Sequence, residues 1–241
     1  TTERDNRVVR LRLRGDRIRD VDEILTGIPK GGRHHGGRMV FDDDGYLYVA
    51  TGDAGNGALA QNKDSLAGKV LRIDPRGRAA SGNPFGNRVW SLGHRNIEGL
   101  AFDSRGRLWA TEFGEKTADE LNLIERGQNY GWPDVEGKGS GQGARGRVNP
   151  RVTWPTDQCS PAGLAIVDDV AYLGALQGEC LYAVDVSGSS AGRPRAFFAG
   201  EYGRLRSVEA APDGSLWVTT SNTDGRGSPR DGDDHILRVV V

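Results

Sequence analysis

The chain is patterned as short apolar runs separated by Asp- and Gly-rich turns, and one such pair of runs recurs. Met39-Val-Phe-Asp-Asp-Asp-Gly-Tyr-Leu-Tyr-Val-Ala-Thr51 returns as Leu100-Ala-Phe-Asp-Ser-Arg-Gly-Arg-Leu-Trp-Ala-Thr111-Glu112 and as Val208-Glu-Ala-Ala-Pro-Asp-Gly-Ser-Leu-Trp-Val-Thr-Thr220. A looser copy is Leu164-Ala-Ile-Val-Asp-Asp-Val-Ala-Tyr-Leu-Gly174. Each copy is an apolar strand, a tight turn and a second apolar strand, the sequence form of a β-hairpin. A lone copy would say little, but four at regular spacing say more. The aromatic anchors Tyr48, Trp109, Tyr172 and Trp217 recur with a mean period of about 56 residues, the length of one four-stranded propeller blade. The gaps hold further strands, Gly68-Lys-Val-Leu-Arg-Ile-Asp74 and Leu181-Tyr-Ala-Val-Asp-Val186. The pattern predicts an all-β fold, a single β-propeller domain over residues 1–241 with about four blades. Strands at both ends, Arg7-Val-Val-Arg-Leu-Arg-Leu13 and His235-Ile-Leu-Arg-Val-Val-Val241, suggest a ring whose remainder precedes Thr1.

Composition agrees with many tight turns and few helices: 36 glycines and 10 prolines in 241 residues, with no collagen-like period. Thirty-two basic residues balance 33 acidic ones, so no global field draws in nucleic acid or an anionic membrane. No apolar run approaches the roughly 18 residues that span a bilayer. Residues 1 to 5 do not resemble a signal peptide, and without an initial Met an upstream segment is expected to have been removed. Cys159 and Cys180 flank one strand-like stretch, and read either as a disulfide, suiting a periplasmic or extracellular protein, or as two buried thiols.

Chemistry in a propeller gathers where inner strands and their loops converge, which directs attention to four polar clusters. Arg33-His-His-Gly-Gly-Arg38 enters one blade, and Thr51-Gly-Asp53 ends the hairpin that follows. His34 with a carboxylate to fix its tautomer makes a general base; alone, it reads as a loop histidine rather than a catalyst. Leu92-Gly-His-Arg-Asn-Ile-Glu-Gly-Leu100 offers Arg95 and Asn96, suited to a carboxylate or quinone oxygen, or to bracing a loop. Arg204 and Arg206 alternate along a strand and so share a face, where two like charges call for an anion, unless both are solvated. The acidic stretch from Thr111 to Ile124, followed by Gln128-Asn-Tyr-Gly-Trp-Pro133, supplies hard oxygen ligands without EF-hand spacing, and a calcium loop is one reading of it.

In order, His-x-x-Gly-Arg at 34 to 38, Thr-Gly-Asp at 51 to 53, Gly-Lys-Val-Leu-Arg at 68 to 72, Leu-Gly-His-Arg-Asn at 92 to 96, Asp-Glu-Leu-Asn-Leu-Ile at 119 to 124, Asn-Tyr-Gly-Trp-Pro at 129 to 133 and Arg-Leu-Arg at 204 to 206 resemble the soluble PQQ-dependent glucose and aldose sugar dehydrogenase family, also called glucose/sorbosone dehydrogenases. The resemblance implies a six-bladed propeller that oxidises an aldose at C1 to its lactone, with hydride transfer to PQQ and onward passage of electrons to an external acceptor. It implies that His34, itself a PQQ contact, is the base and that Asp53 orients it. Arg95 and Asn96 would contact the quinone, and Arg204 and Arg206 would hold PQQ's carboxylates. Calcium would be held partly by the carbonyls of Gly114 and Glu115, and a second, structural calcium by Glu120 and the Tyr130 carbonyl. Gln177 stands where family members often carry a PQQ-contacting Lys, keeping a donor without its charge. About two further blades would precede Thr1.

Two other readings fit a propeller: a calcium-dependent lactonase or hydrolase, and a non-catalytic binding module. The first leaves Arg95, Arg204 and Arg206 without a purpose.

Overall fold

The computed structural model describes residues 1–241, Gly143 by its backbone alone. It comprises two compact units, Thr1–Asn96 with Arg126–Pro133, and Ile97–Glu125 with Asp134–Val241.

In the first unit a hairpin of β1 (Asn6–Arg14) and β2 (Arg17–Ile28) precedes a four-stranded antiparallel sheet of β3 (Gly36–Phe41), β4 (Leu47–Thr51), β5 (Lys69–Ile73) and β6 (Val89–Leu92), paired in chain order. A single helical turn, α1 (Ala58–Gln61), interrupts the connection from β4 to β5. The β3–β4 turn shows why the repeat carries Asp and Gly. The Asp42 carboxylate accepts the Tyr46 amide at 2.8 Å, the Gly45 amide closes onto the Asp42 carbonyl at 3.0 Å, and Gly45 takes a φ of 80° that other residues adopt only with strain. Val8, Leu25 and Ile28 of the hairpin pack with Leu47, Val49, Leu71, Ile73, Val89 and Leu92 of the sheet into one apolar core.

The second unit repeats the pattern. Its first sheet is β7 (Ile97–Phe102), β8 (Leu108–Glu112), β9 (Asp119–Ile124) and β10 (Val152–Trp154). Its second is β11 (Pro161–Val167), β12 (Val170–Ala175), β13 (Cys180–Asp185) and β14 (Arg195–Phe197). Its third is β15 (Leu205–Ala210), β16 (Leu216–Thr220) and β17 (Ile236–Val239). The repeated aromatic anchors all fall on the second strand of a sheet: Tyr48 on β4, Trp109 on β8, Tyr172 on β12 and Trp217 on β16. The looser fourth repeat turns through Asp168 and Asp169, both at positive φ, as a two-residue hairpin loop demands.

The middle sheet of this unit is buried on both faces. Leu164, Ala171, Leu173, Ala175, Cys180 and Val184 pack against Trp109, Leu121, Val152 and Trp154 of the first sheet, whereas Ala165 and Leu181 pack against Leu205, Val208, Leu216 and Val218 of the third. Because successive side chains point to opposite faces, two buried faces require apolar residues at nearly every position, hence near-continuous rather than alternating runs. The second and third sheets meet so closely that a Cβ on Gly174 would lie 2.8 Å from the Leu205 carbonyl oxygen.

Cys159 and Cys180 are two buried free thiols in one apolar cluster, not a bridge. Burial first, then Asp119 and Cys180, pushes the Cys159 thiol up, away from its reactive thiolate form. Among the described residues no helix is long and apolar enough to cross a membrane.

One buried charge in the first unit has no carboxylate partner. Lys69, fully buried on β5, donates from Nζ to the carbonyls of Leu59 at 2.8 Å, Ala60 at 3.0 Å and Ala67 at 2.6 Å, tying α1 and the following loop to the sheet. Burial pushes its pKa down to about 7, and the three carbonyls pull the other way, since only an ammonium donates to all three. Lys69→Met fills the same space but orphans the Ala67 carbonyl, at about 1–3 kcal/mol, while the Leu59 and Ala60 carbonyls keep the Asn62 and Gly93 amides at 3.2 and 3.0 Å. Urea unfolding is expected to show the variant destabilised by at least ~1 kcal/mol; an unchanged midpoint would refute the role given to the ammonium.

Candidate active site

Four of the residues singled out in the sequence gather in the first unit, at the ends of β3, β4 and β6. His34 Nδ1 lies 2.7 Å from Asp53 Oδ1. The Asp53 carboxylate also accepts the Gly55 amide at 2.7 Å and the Trp132 indole N–H at 2.8 Å. Burial opposes ionisation of Asp53, but the hydrogen bonds from His34, Gly55 and Trp132 outweigh it and hold its pKa below the ordinary value. Asp53 is therefore a carboxylate, and His34 Nδ1 must be the donor. That fixes the neutral tautomer with its lone pair on Nε2, which makes no hydrogen bond among the described residues.

The backbone locks this arrangement. His34 and Ala54 both lie at positive φ, 60° and 56°, and the Ala54 amide donates to the His34 carbonyl at 3.1 Å. A Cβ on Gly52 would sit 2.1 Å from that same carbonyl oxygen, so the Gly of Thr-Gly-Asp is what lets the His34 loop lie against the end of β4. Asp53 N donates to the Arg95 carbonyl at 2.8 Å, and Asn96 Oδ1 accepts the Gly36 amide at 3.1 Å, which settles the donor end of the Asn96 side chain. The buried Arg95 guanidinium lies 5.4 Å from the Trp132 ring centroid. Tyr130 is buried and stacks on His94, ring centroids 4.7 Å apart. Trp132 entered the sequence reading only as part of a motif; its bond to Asp53 joins residues 79 positions apart.

In the second unit Arg204 and Arg206 do converge on an anion, and that anion is Asp224. Its Oδ2 accepts from Arg204 Nη2 at 3.1 Å, Arg206 Nη2 at 3.0 Å and the Ser221 hydroxyl at 3.2 Å. Burial alone would raise the Asp224 pKa; the Arg226 amide and the two guanidinium groups bring it down to about 2. One carboxylate against two guanidinium groups leaves a net positive charge. Arg206 makes no bond from Nη1 among the described residues and is more exposed than Arg204, so it retains donors for a carboxylate ligand. Arg204 also donates to the Leu176 carbonyl at 3.2 Å, bracing the turn that exposes Gln177.

The acidic stretch of the same unit holds Glu112 directly opposite Glu120 across β8 and β9, with Asn122 on the same face. Burial first, then Glu112, pushes the Glu120 pKa up. Asn122 Nδ2 donates to Glu120 Oε2 at 2.8 Å, while the fully buried Asn122 Oδ1 has no hydrogen-bond partner among the described residues. An unsatisfied amide oxygen beside two carboxylates fits a hard cation. The loop between β8 and β9 fits one too: no described hydrogen bond reaches the carbonyls of Gly114 or Glu115. Glu112 and Asn122 lay inside the acidic stretch but carried no individual signal in the sequence.

A family model described as glucose/sorbosone dehydrogenase matches residues 1–237. The aldose sugar dehydrogenase YliI of Escherichia coli (strain K12) is 31% identical over 244 residues, covering 89% of this chain and 66% of its own. Quinoprotein glucose dehydrogenase B of Acinetobacter calcoaceticus is 37% identical over 138 residues, covering 48% of this chain and 29% of its own. The PQQ-bound form of aldose sugar dehydrogenase from Streptomyces coelicolor superposes with a TM-score of 0.92 at 47% identity, over 99% of this chain and 72% of that one. The fold class is thereby a β-propeller, and the chain spans slightly under two thirds of the length of its Escherichia coli relative. With its motifs in order and a family model matched from Thr1 to residue 237, the chain belongs to the glucose/sorbosone dehydrogenase family.

Proposed function

We propose that this chain is the greater part of a quinoprotein that oxidises aldose sugars at C1 to lactones, with PQQ and Ca²⁺ as cofactors. The observation that carries the reading is the chain of hydrogen bonds from Trp132 and Gly55 through Asp53 to His34, which prepares one imidazole nitrogen to accept a proton. The C1 hydroxyl proton of the aldose goes to His34 Nε2, and the developing imidazolium is stabilised by the Asp53 carboxylate behind it. PQQ, when bound with Ca²⁺ as Lewis acid, supplies the two-electron acceptor for the hydride leaving C1. In the first unit Arg95 and Asn96 are the residues that would face the quinone. In the second, Arg206 and Arg204, with Gln177 nearby on its turn, would take carboxylates. Carbonyl oxygens of Gly114 and Glu115 would hold the catalytic calcium, and Glu120 would be a ligand of a structural one. The family and the PQQ-bound relative support this assignment.

The direct test adds PQQ and Ca²⁺ to the purified chain and follows reduction of an artificial dye with glucose and other aldoses. Aldose-dependent reduction is expected; its absence, together with no cofactor absorbance on the protein, would sink the reading.

His34→Ala is expected to abolish turnover while PQQ remains bound, and turnover at the wild-type rate would remove His34 from its role. Asp53→Asn sets an amide N–H₂ against a donor, either the Trp132 indole or His34, and should lower kcat about 10²-fold or more. Trp132→Phe combined with it removes one mismatched donor and should recover part of that loss. A double variant no better than Asp53→Asn alone would contradict this account of Asp53.

A further inference from the structure

The connection from β8 to β9 folds around a side chain that neither the motif pattern nor the proposed chemistry uses. The amides of Glu115, Lys116, Thr117 and Ala118 all donate to one oxygen, Glu136 Oε1, at 2.6, 2.9, 2.9 and 3.1 Å. The Gly114 amide donates to Asp119 Oδ1 at 2.9 Å. Successive N–H groups wrapped about an anion form a nest, and here the anion belongs to the protein itself. Burial works against the Glu136 charge, but the four amides prevail and hold its pKa low. The fit is tight, since a Cβ on Gly114 would meet the Ala118 carbonyl oxygen at 2.1 Å and Glu136 Oε1 at 2.6 Å.

A trans peptide is planar, so each carbonyl points opposite the N–H of the residue that follows. The N–H groups of Glu115 and Lys116 belong to the peptide units that carry the carbonyls of Gly114 and Glu115. With both N–H groups turned onto Glu136, both carbonyls turn away from it. The next carbonyl, that of Lys116, already accepts the Thr156 hydroxyl at 3.3 Å.

We propose that Glu136 is the positioning residue that sets the carbonyls of Gly114 and Glu115 outward as a preformed pair of cation ligands. This rests on the calcium reading of that loop given above. The carboxylate lies behind a layer of aligned peptide dipoles whose negative ends face outward, so it orients the oxygen ligands and attracts the cation without touching it.

Calcium alone serves as the probe, titrated calorimetrically into the 241-residue chain and into the Glu136→Ala, Glu136→Gln and Glu120→Gln variants. Glu136→Ala is expected to weaken, by tenfold or more, a site that Glu120→Gln retains. Glu136→Gln keeps an acceptor oxygen for the amides and is expected to fall between wild type and Glu136→Ala, and it also carries the test if the alanine variant does not fold. Hydrogen exchange of the amides at 115 to 118 gives an independent readout: slow in wild type and at least tenfold faster in Glu136→Ala. Wild-type calcium affinity in Glu136→Ala, or equal losses in the Ala and Gln variants, would overturn the positioning role. If the wild-type chain binds no calcium, the calcium reading and the proposal fall together, and the exchange data still report whether Glu136 shapes the loop.

Discussion

A sheet packed on both faces has nowhere to keep a charge except at the ends of its strands. In the middle sheet of the second unit, Leu173 and Ala171 face one neighbour while Leu181 and Ala165 face the other, and a charged side chain in either direction would be stranded away from water. That constraint sorts the molecule. Apolar residues fill most of the strand interiors, and several groups able to do chemistry sit in the loops or at the last residues of strands, His34 before β3, Asp53 after β4, Asn96 before β7 and Glu112 at the end of β8, whereas Glu120 and Asn122 are buried within β9.

Charges crowded together must then be neutralised locally, and at three places the protein supplies its own partner. Asp53 is met by an imidazole, an indole and an amide. Arg204 and Arg206 are met by Asp224, and Glu136 by four amides. These partners do more than satisfy charge. Asp53 selects a tautomer, Asp224 fixes two long side chains that would otherwise sample many rotamers, and Glu136 turns a stretch of backbone to face one way. The Glu112–Glu120 pair, with the unsatisfied oxygen of Asn122, is where the protein's own groups fall short, and the imbalance there has the sign a cation corrects.

How much of this was legible in the sequence depends on the range of the interaction. The hairpins could be read because their determinants are local: Asp42 and Gly45 act within one turn, and Asp103 and Gly106 do the same in the next repeat. The aromatic anchors gave the period because each falls at the same place in its sheet. His34, Asp53, Arg95 and Asn96 were found through ordered motifs that resemble a family, since spacing alone could not say that residues 19 apart would touch. Trp132, Asp224 and Glu136 were missed as individuals. Their contacts join one loop to another, and such loops have neither the period of a strand nor that of a helix to betray them. Lys69 reads as an ordinary strand charge, and only the fold shows that it is wholly buried. The cysteine pair left two outcomes open, and the structure holds free thiols.

Lys69 also bears on what the protein can lose. Carbonyls crowd around the ammonium of Lys69, and on the proposal made for Glu136 two more, those of Gly114 and Glu115, turn outward together. At the first, the positive centre is part of the chain, delivered at synthesis and immune to chelators, dilution or competition from other ions. At the second, any positive centre must be borrowed from solution. The same electrostatic need is thus met once by a side chain of the protein and once from outside it, and only the second would leave the molecule answerable to the metal ions of its surroundings.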